Sequence, residues 1–255
     1  MSKIIENRLI EAFKDRSSFN REELYDFYLD FESDLKESTF SWRIYDLKKK
    51  DIIKTIGRGL YVISYKPKYK AVLTDNIFKI VRKTNERFED IKYAIWETQW
   101  LNEFSQHQVN NQIIVVEVEK EFTDSLYYYL NDNLRMDFFL NPDDKEIEFY
   151  ISESNVPVVI KRLVTRAPIQ KIKNKKAIIP IATLEKIMVD LFADENLYHF
   201  YQGSEMINIY QNIIDRYNIN FTKLFSYAKR RKKEQEIKQF ISRYIPNFLE
   251  DIQYD

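Results

Sequence analysis

Two of the three glycines in this 255-residue chain bracket one arginine, in Ile56-Gly57-Arg58-Gly59-Leu60-Tyr61-Val62-Ile63. Glycine is the default residue where φ must be positive, so a chain that uses it this sparingly places it here for a tight turn between two β-branched strands. The segment just before, Ser41-Trp42-Arg43-Ile44-Tyr45-Asp46-Leu47-Lys48-Lys49-Lys50, has helical periodicity and a basic end. A helix followed by a basic hairpin reads as a winged helix, with DNA as the expected partner.

The formal net charge is zero, with 40 basic and 40 acidic residues, but the charge is strongly segregated. Residues 15–37 carry eight acidic and three basic side chains, a net −5, whereas residues 38–70 carry nine basic and two acidic, a net +7. Such polarity orients a small domain in the field of a polyanion.

The first 65 residues read as three helices and a hairpin. Ile4, Ile5, Leu9, Ile10 and Phe13 share a helical stripe, as do Leu24, Phe27, Tyr28 and Phe31. Asn20 with Glu23 three residues on has the form of a capping box. In the third helix Phe40, Ile44 and Leu47 form the core face, and Ser38 or Thr39 is the expected N-cap. Recognition helices present N-terminal residues to base edges while later basic residues meet phosphates. Ser41, Arg43 and Tyr45 are therefore expected at bases, and Lys48, Lys49, Lys50, Lys54 and Arg58 at phosphates or the minor groove. The bland alternatives are a solvated helix end for the lysines and a core position for Trp42.

Periodicity stops around Lys66-Pro67-Lys68-Tyr69-Lys70, which sets the expected domains at 1–66 and 71–255. In the second, Thr74-Asp75 caps a helix through Phe88, and strands are expected at Tyr93–Trp96, Ile113–Val118 and Val156–Ile160. Residues 121–133 read as a helix. Ile169–Ile172 and Ala177–Pro180 read as extended pieces, and four helices follow over 182–194, 203–217, 220–232 and 234–244. The fold class is α+β: a winged helix-turn-helix, then a mixed α/β effector domain with a helical C-terminal half.

Two basic regions mark that second domain. Between Asn155 and Leu184 lie Lys161, Arg162, Arg166, Lys171, Lys173, Lys175 and Lys176, with no acidic residue. The other is Lys229-Arg230-Arg231-Lys232-Lys233, preceded by Phe225 and Tyr227. Arg162, Arg166, Lys171, Lys173, Arg230, Arg231, Lys232 and Lys233 are thus candidates for contact with nucleic acid or an acidic partner. In the helix 182–194, Leu184, Ile187, Val189 and Leu191 read as core, while Glu185, Lys186 and Asp190 form intrahelical pairs or hold the adjoining helices, and are the candidates for an antitoxin surface.

The absence of cysteine excludes disulfides, thiol catalysis and cysteine metal sites. Three glycines leave no phosphate loop or dinucleotide fingerprint. His107 and His199 are too few and too far apart for a histidine-rich metal site. Glu117 and Glu119 alternate on a strand, a pair able to hold magnesium. Yet the upstream Gly-Ser turn of a nucleotidyltransferase and the correctly spaced lysine of a nuclease are both missing. No metal or cofactor is expected. No run approaches the ~18 apolar residues of a spanning helix, and the N-terminus is too charged for a signal peptide, so a cytoplasmic location and no membrane partner are expected.

Three stretches together resemble the AbiEi-type antitoxins, transcriptional regulators of bacterial abortive-infection toxin–antitoxin pairs. They are Ile56-Gly57-Arg58-Gly59-Leu60-Tyr61-Val62, Trp96-Glu97-Thr98-Gln99-Trp100-Leu101-Asn102-Glu103-Phe104, and Ile181-Ala182-Thr183-Leu184-Glu185-Lys186-Ile187-Met188-Val189-Asp190-Leu191. The last is similar to a "P-T-L-E-K-I-L-V-D-L" helix, with Ala182 in place of proline. The resemblance implies a winged helix on inverted repeats upstream of its own operon, and a C-terminal domain that counteracts a nucleotidyltransferase-like toxin without requiring a stable complex with it. The competing readings are a metal-dependent nucleic-acid-processing enzyme using Glu117 and Glu119, and a winged-helix module that binds an acidic protein.

Overall fold

The computed structural model describes residues 3–245 except 17, 58, 108, 110, 111, 175 and 176. The chain divides into two compact units, Met1–Pro67 and Lys68–Asp255.

In the first unit α1 (Lys3–Phe13), β1 (Phe19–Asn20), α2 (Arg21–Leu29) and α3 (Glu37–Lys49) precede β2 (Ile53–Gly57) and β3 (Leu60–Ile63). The strands form an antiparallel sheet in the order β1-β3-β2. Apolar residues three and four apart on each helix converge on one core. Leu9 and Phe13 come from α1, Leu24 and Tyr28 from α2, and Phe40, Ile44 and Leu47 from α3, closed by Phe19, Ile53 and Tyr61. The hairpin register slips between Thr55 and Gly57, and Gly59 adopts φ +71°, the left-handed conformation expected of a turn glycine. Arg58, expected at the tip, lies outside the described residues.

The capping box is present: Asn20 Oδ1 accepts from Glu23 N (2.8 Å) and Glu23 Oε2 from Asn20 N (2.7 Å). The start of α3 differs from expectation. Leu35 is buried and its carbonyl accepts from the Tyr25 hydroxyl (2.6 Å), so the helix begins directly after that anchor, with Lys36 as a cap lacking a side-chain bond. Ser38 and Thr39 already lie inside it.

The second unit runs α4 (Asp75–Arg87), β4 (Tyr93–Glu97), β5 (Ile114–Val118), α5 (Thr123–Asn133) and β6 (Asp137–Leu140). A short α6 (Asp144–Glu146) passes into a π-helical turn, Ile147–Ile151, before β7 (Pro157–Arg162), β8 (Ile169–Asn174) and β9 (Ala177–Ala182). Then follow α7 (Leu184–Ala193), α8 (Ser204–Arg216), α9 (Phe221–Arg230) and α10 (Glu234–Tyr244). Among the described residues the sheet has six strands in the order β6-β7-β5-β4-β9-β8. β5, β6 and β7 are mutually parallel, β4 is antiparallel to β5 and parallel to β9, and β8 and β9 pair antiparallel. Central strands buried on both faces read as continuous apolar runs, as in Ile114-Val115-Val116 and Val158-Val159-Ile160. Thr74 caps α4 as expected.

The architecture is therefore mixed α+β with two sheets and a helical C-terminal half. Among the described residues no helix is long and apolar enough to cross a membrane.

Removing the cap with Asn20→Ala should destabilise the N-terminal unit by about 1 kcal/mol. Urea unfolding of the full chain, read through amide exchange in α2, checks this.

Candidate functional site

On α3 the inward stripe of Phe40, Ile44 and Leu47 turns Ser41, Trp42, Tyr45, Lys48 and Lys49 to solvent. Trp42 is 64% and Tyr45 60% exposed, so Trp42 is not a core residue. Ser41 Oγ accepts from Arg21 (3.0 Å), whose guanidinium also bonds Glu37 (2.7 Å). Lys48 Nζ stands 5.3 Å from the centre of the Tyr61 ring. Lys54 is exposed on β2.

Two of the expected DNA contacts are corrected here. The Arg43 side chain is only 17% exposed, pairs with Glu32 and stacks over Tyr28 at 5.0 Å, so it braces α3 against α2 and the turn after it. Lys50 bonds both Asp46 and Glu6 at 2.7 Å and ties α3 to α1. Those two bonds hold its ammonium above the ordinary lysine value.

In the second unit the chemistry lies inside. Glu117 on β5 and Lys161 on β7 are register partners in a parallel ladder, so their side chains leave the sheet on the same face. Lys186 of α7 meets that face, fully buried, and pairs with both Glu117 and Asp190. Asp190 accepts from the Tyr227 hydroxyl (2.8 Å), with Arg231 Nε 3.8 Å away. Arg231 then donates to Asp194 (2.6 Å), which also receives Lys161 (2.5 Å). Three carboxylates and three cations alternate in one chain of contacts.

Burial pushes the Glu117 carboxyl up, against the pull of Lys186, and the neighbouring Asp190 adds to the rise. For Lys186 burial favours the neutral amine, yet Asp190 and Glu117 outweigh it and hold the ammonium above 10.5. Burial would likewise raise Asp194, but Lys161 and Arg231 overcome it and keep that carboxyl below 3.8.

The network surfaces at a cleft of about 520 Å³ at the C-terminal ends of β6 and β7. It is lined by Asn141, Pro142, Asp144 and Ile147, by Val159 and Lys161 of β7, by Ala193, Asp194, Glu195, Asn196 and Leu197, and by Lys233. Asn141 holds φ +44°, a left-handed conformation in a residue other than glycine. The polar lining is largely committed: Lys161 to Asp194, Asn196 to Asp144 (2.7 Å) and Lys233 to Glu236 (2.7 Å).

This geometry corrects several expectations. Lys186 and Asp190 are buried and Glu185 is 9% exposed, accepting from the Asn220 amide (3.0 Å), so the three do not form an antitoxin surface. The intrahelical Lys186–Asp190 pair is present. Arg231 faces inward, and Tyr227, read as an aromatic beside exposed cations, is buried. Glu117 and Glu119 do not make a metal pair. Glu117 is consumed by Lys186, whereas Glu119 lies beyond the strand and accepts from the Lys92 amide (3.2 Å). Glu117 also lies on a central strand and is fully buried. Among the described residues no group of three or more histidine or acidic side chains is placed to hold a metal. Arg162, Arg166, Lys171, Lys173 and Lys232 are exposed, as is Arg230, which donates to Thr165 (3.4 Å). Lys175 and Lys176 lie outside the described residues.

The sequence profile that matches this chain covers residues 39–247, from the first turn of α3 through α10. The chain belongs to DUF6577, a family of unknown function. No curated protein matches it. The DUF6577 match thus takes in the exposed face of α3, the β2–β3 hairpin and every member of the buried network.

Lys186→Met should cost about 3–5 kcal/mol, because it strands Glu117 and Asp190 without a cation. The double variant Glu117→Gln/Lys186→Met should recover part of that loss, and urea midpoints measure both. Since the folded-state pKa of Asp194 is depressed, its stabilisation is present above pH 3.8 and is lost as pH falls through the lower folded value. Asp194→Asn should therefore flatten the acid limb of the stability profile below pH 3.8, as read by thermal melts across pH.

Proposed function

We propose that the N-terminal unit is a winged helix that binds duplex DNA through α3 and the β2–β3 hairpin, and that the chain is a transcriptional regulator. The observation that carries this reading is the exposed face of α3, where Ser41, Trp42, Tyr45, Lys48 and Lys49 point to solvent while every large apolar residue of the helix other than Trp42 and Tyr45 is buried. Three helices followed by a hairpin on a small antiparallel sheet support it, as does the net +7 over residues 38–70. A helix enters the major groove with its exposed face against base edges, and flanking cations neutralise phosphates.

The resemblance to AbiEi-type antitoxins extends the proposal. The chain represses its own operon and counteracts a nucleotidyltransferase-like toxin encoded beside it, with the second unit as the effector. Glu185, Lys186 and Asp190 act there as the frame of that unit.

Binding is tested with purified full-length protein on the DNA upstream of its own gene against a scrambled duplex of equal length. Specific binding is expected, and equal affinity for both contradicts the regulator. The double variant Lys48→Ala/Lys49→Ala should lower the slope of log affinity against log salt by about 0.9 for each phosphate that is no longer neutralised. Lys50→Ala should change it far less, because that ammonium is already neutralised by Asp46 and Glu6. Antitoxin action is tested by co-expression with the adjacent gene: relief of growth arrest supports it, and undiminished arrest rejects it.

A further inference from the structure

Which bases this helix reads follows from which of its side chains are free. Bidentate recognition of guanine falls to arginine or lysine, and that of adenine to asparagine or glutamine. Residues 37–49 of α3 contain one arginine and no asparagine or glutamine. That arginine, Arg43, is folded back on Glu32 and Tyr28. Arg21, the neighbouring guanidinium that reaches the helix surface, is held by Glu37 and Ser41. Lys48 and Lys49 stand in the last turn, three residues or more beyond Tyr45, where basic side chains meet phosphates. What remains at the centre of the exposed face is the aromatic pair Trp42 and Tyr45, one helical turn apart and each more than half exposed.

Apolar side chains in the major groove have one specific target, the 5-methyl group of thymine. We infer that α3 reads its site mainly through thymine methyls packed against Trp42 and Tyr45, and so selects a T-containing major-groove face with little demand for guanine. The inference rests on the DNA-binding reading above. Its occupant is duplex DNA because the aromatic pair is followed by Lys48 and Lys49 and by exposed Lys54 on β2, a setting complementary to phosphate.

The test begins with selection of a duplex from a random library by the full-length protein. The selected site is then remade with deoxyuridine in place of each thymidine, which deletes the methyl and leaves every hydrogen-bonding edge intact. Affinity should fall about fourfold for each contacted methyl removed, the value of one buried methyl group. In Trp42→Ala and Tyr45→Ala, both at exposed positions, the same replacement should cost correspondingly less, so the two changes are coupled. Equal affinity for the thymidine and deoxyuridine duplexes overturns the inference while leaving DNA binding in place, as does a selected site defined by guanines alone. Failure to enrich any sequence overturns the DNA-binding reading itself, and a Trp42→Ala variant that then loses a protein partner reassigns the aromatic pair to protein docking.

Discussion

One buried ammonium, that of Lys186, organises the second unit. It is shared between Glu117 on a central strand and Asp190 on its own helix, and both carboxylates are out of reach of water. Burying such charges is costly, and the cost is offset only when each has a partner in good geometry. The contacts pass from Glu117 through Lys186 and Asp190 to Arg231, Asp194 and Lys161, so β5, α7, the end of α9 and β7 are bound into one set. A slip of one residue in β5 would send Glu117 to the opposite face and leave Lys186 with one carboxylate instead of two. The network thus specifies register as well as holding layers together.

The same residue types serve opposite purposes in the two units. Lys229-Arg230-Arg231-Lys232-Lys233 has five cations in a row, yet the chain turns within it, with Lys232 at φ +58°. Arg231 goes into the network while Lys232 stays in solvent. On α3 the lysines of the last turn divide likewise: Lys50 is neutralised by Glu6 and Asp46, and Lys48 and Lys49 remain exposed. Counting charge in a run therefore overstates the charge available to a partner, and the positive field of the N-terminal unit falls to fewer side chains than its sequence holds.

What periodicity dictates was legible in the sequence. The apolar stripe Phe40, Ile44 and Leu47, the Asn20–Glu23 capping box and the Thr74 cap all follow from local spacing, and each is present. The partners of Arg43 and Lys50 were not legible, since Glu32 and Glu6 lie 11 and 44 residues away and only tertiary packing brings them close. β1 and β6 are two and four residues long, too short to show alternation. The buried network left one usable signal. α7 is apolar around nearly its whole circumference, which marks a helix buried on all sides. Charges on such a helix at positions 186 and 190, four residues apart, share one face and require buried partners.

The central claim is that DNA meets the exposed face of α3 and the hairpin that follows, and amide hydrogen exchange of the full-length protein with and without its upstream duplex tests it most directly. The account predicts new protection confined to residues 37–63, with the network-bearing helices unchanged. Protection in the cleft at Asn141–Leu197 or across the basic run at Lys229–Lys233, with none in α3, would contradict it.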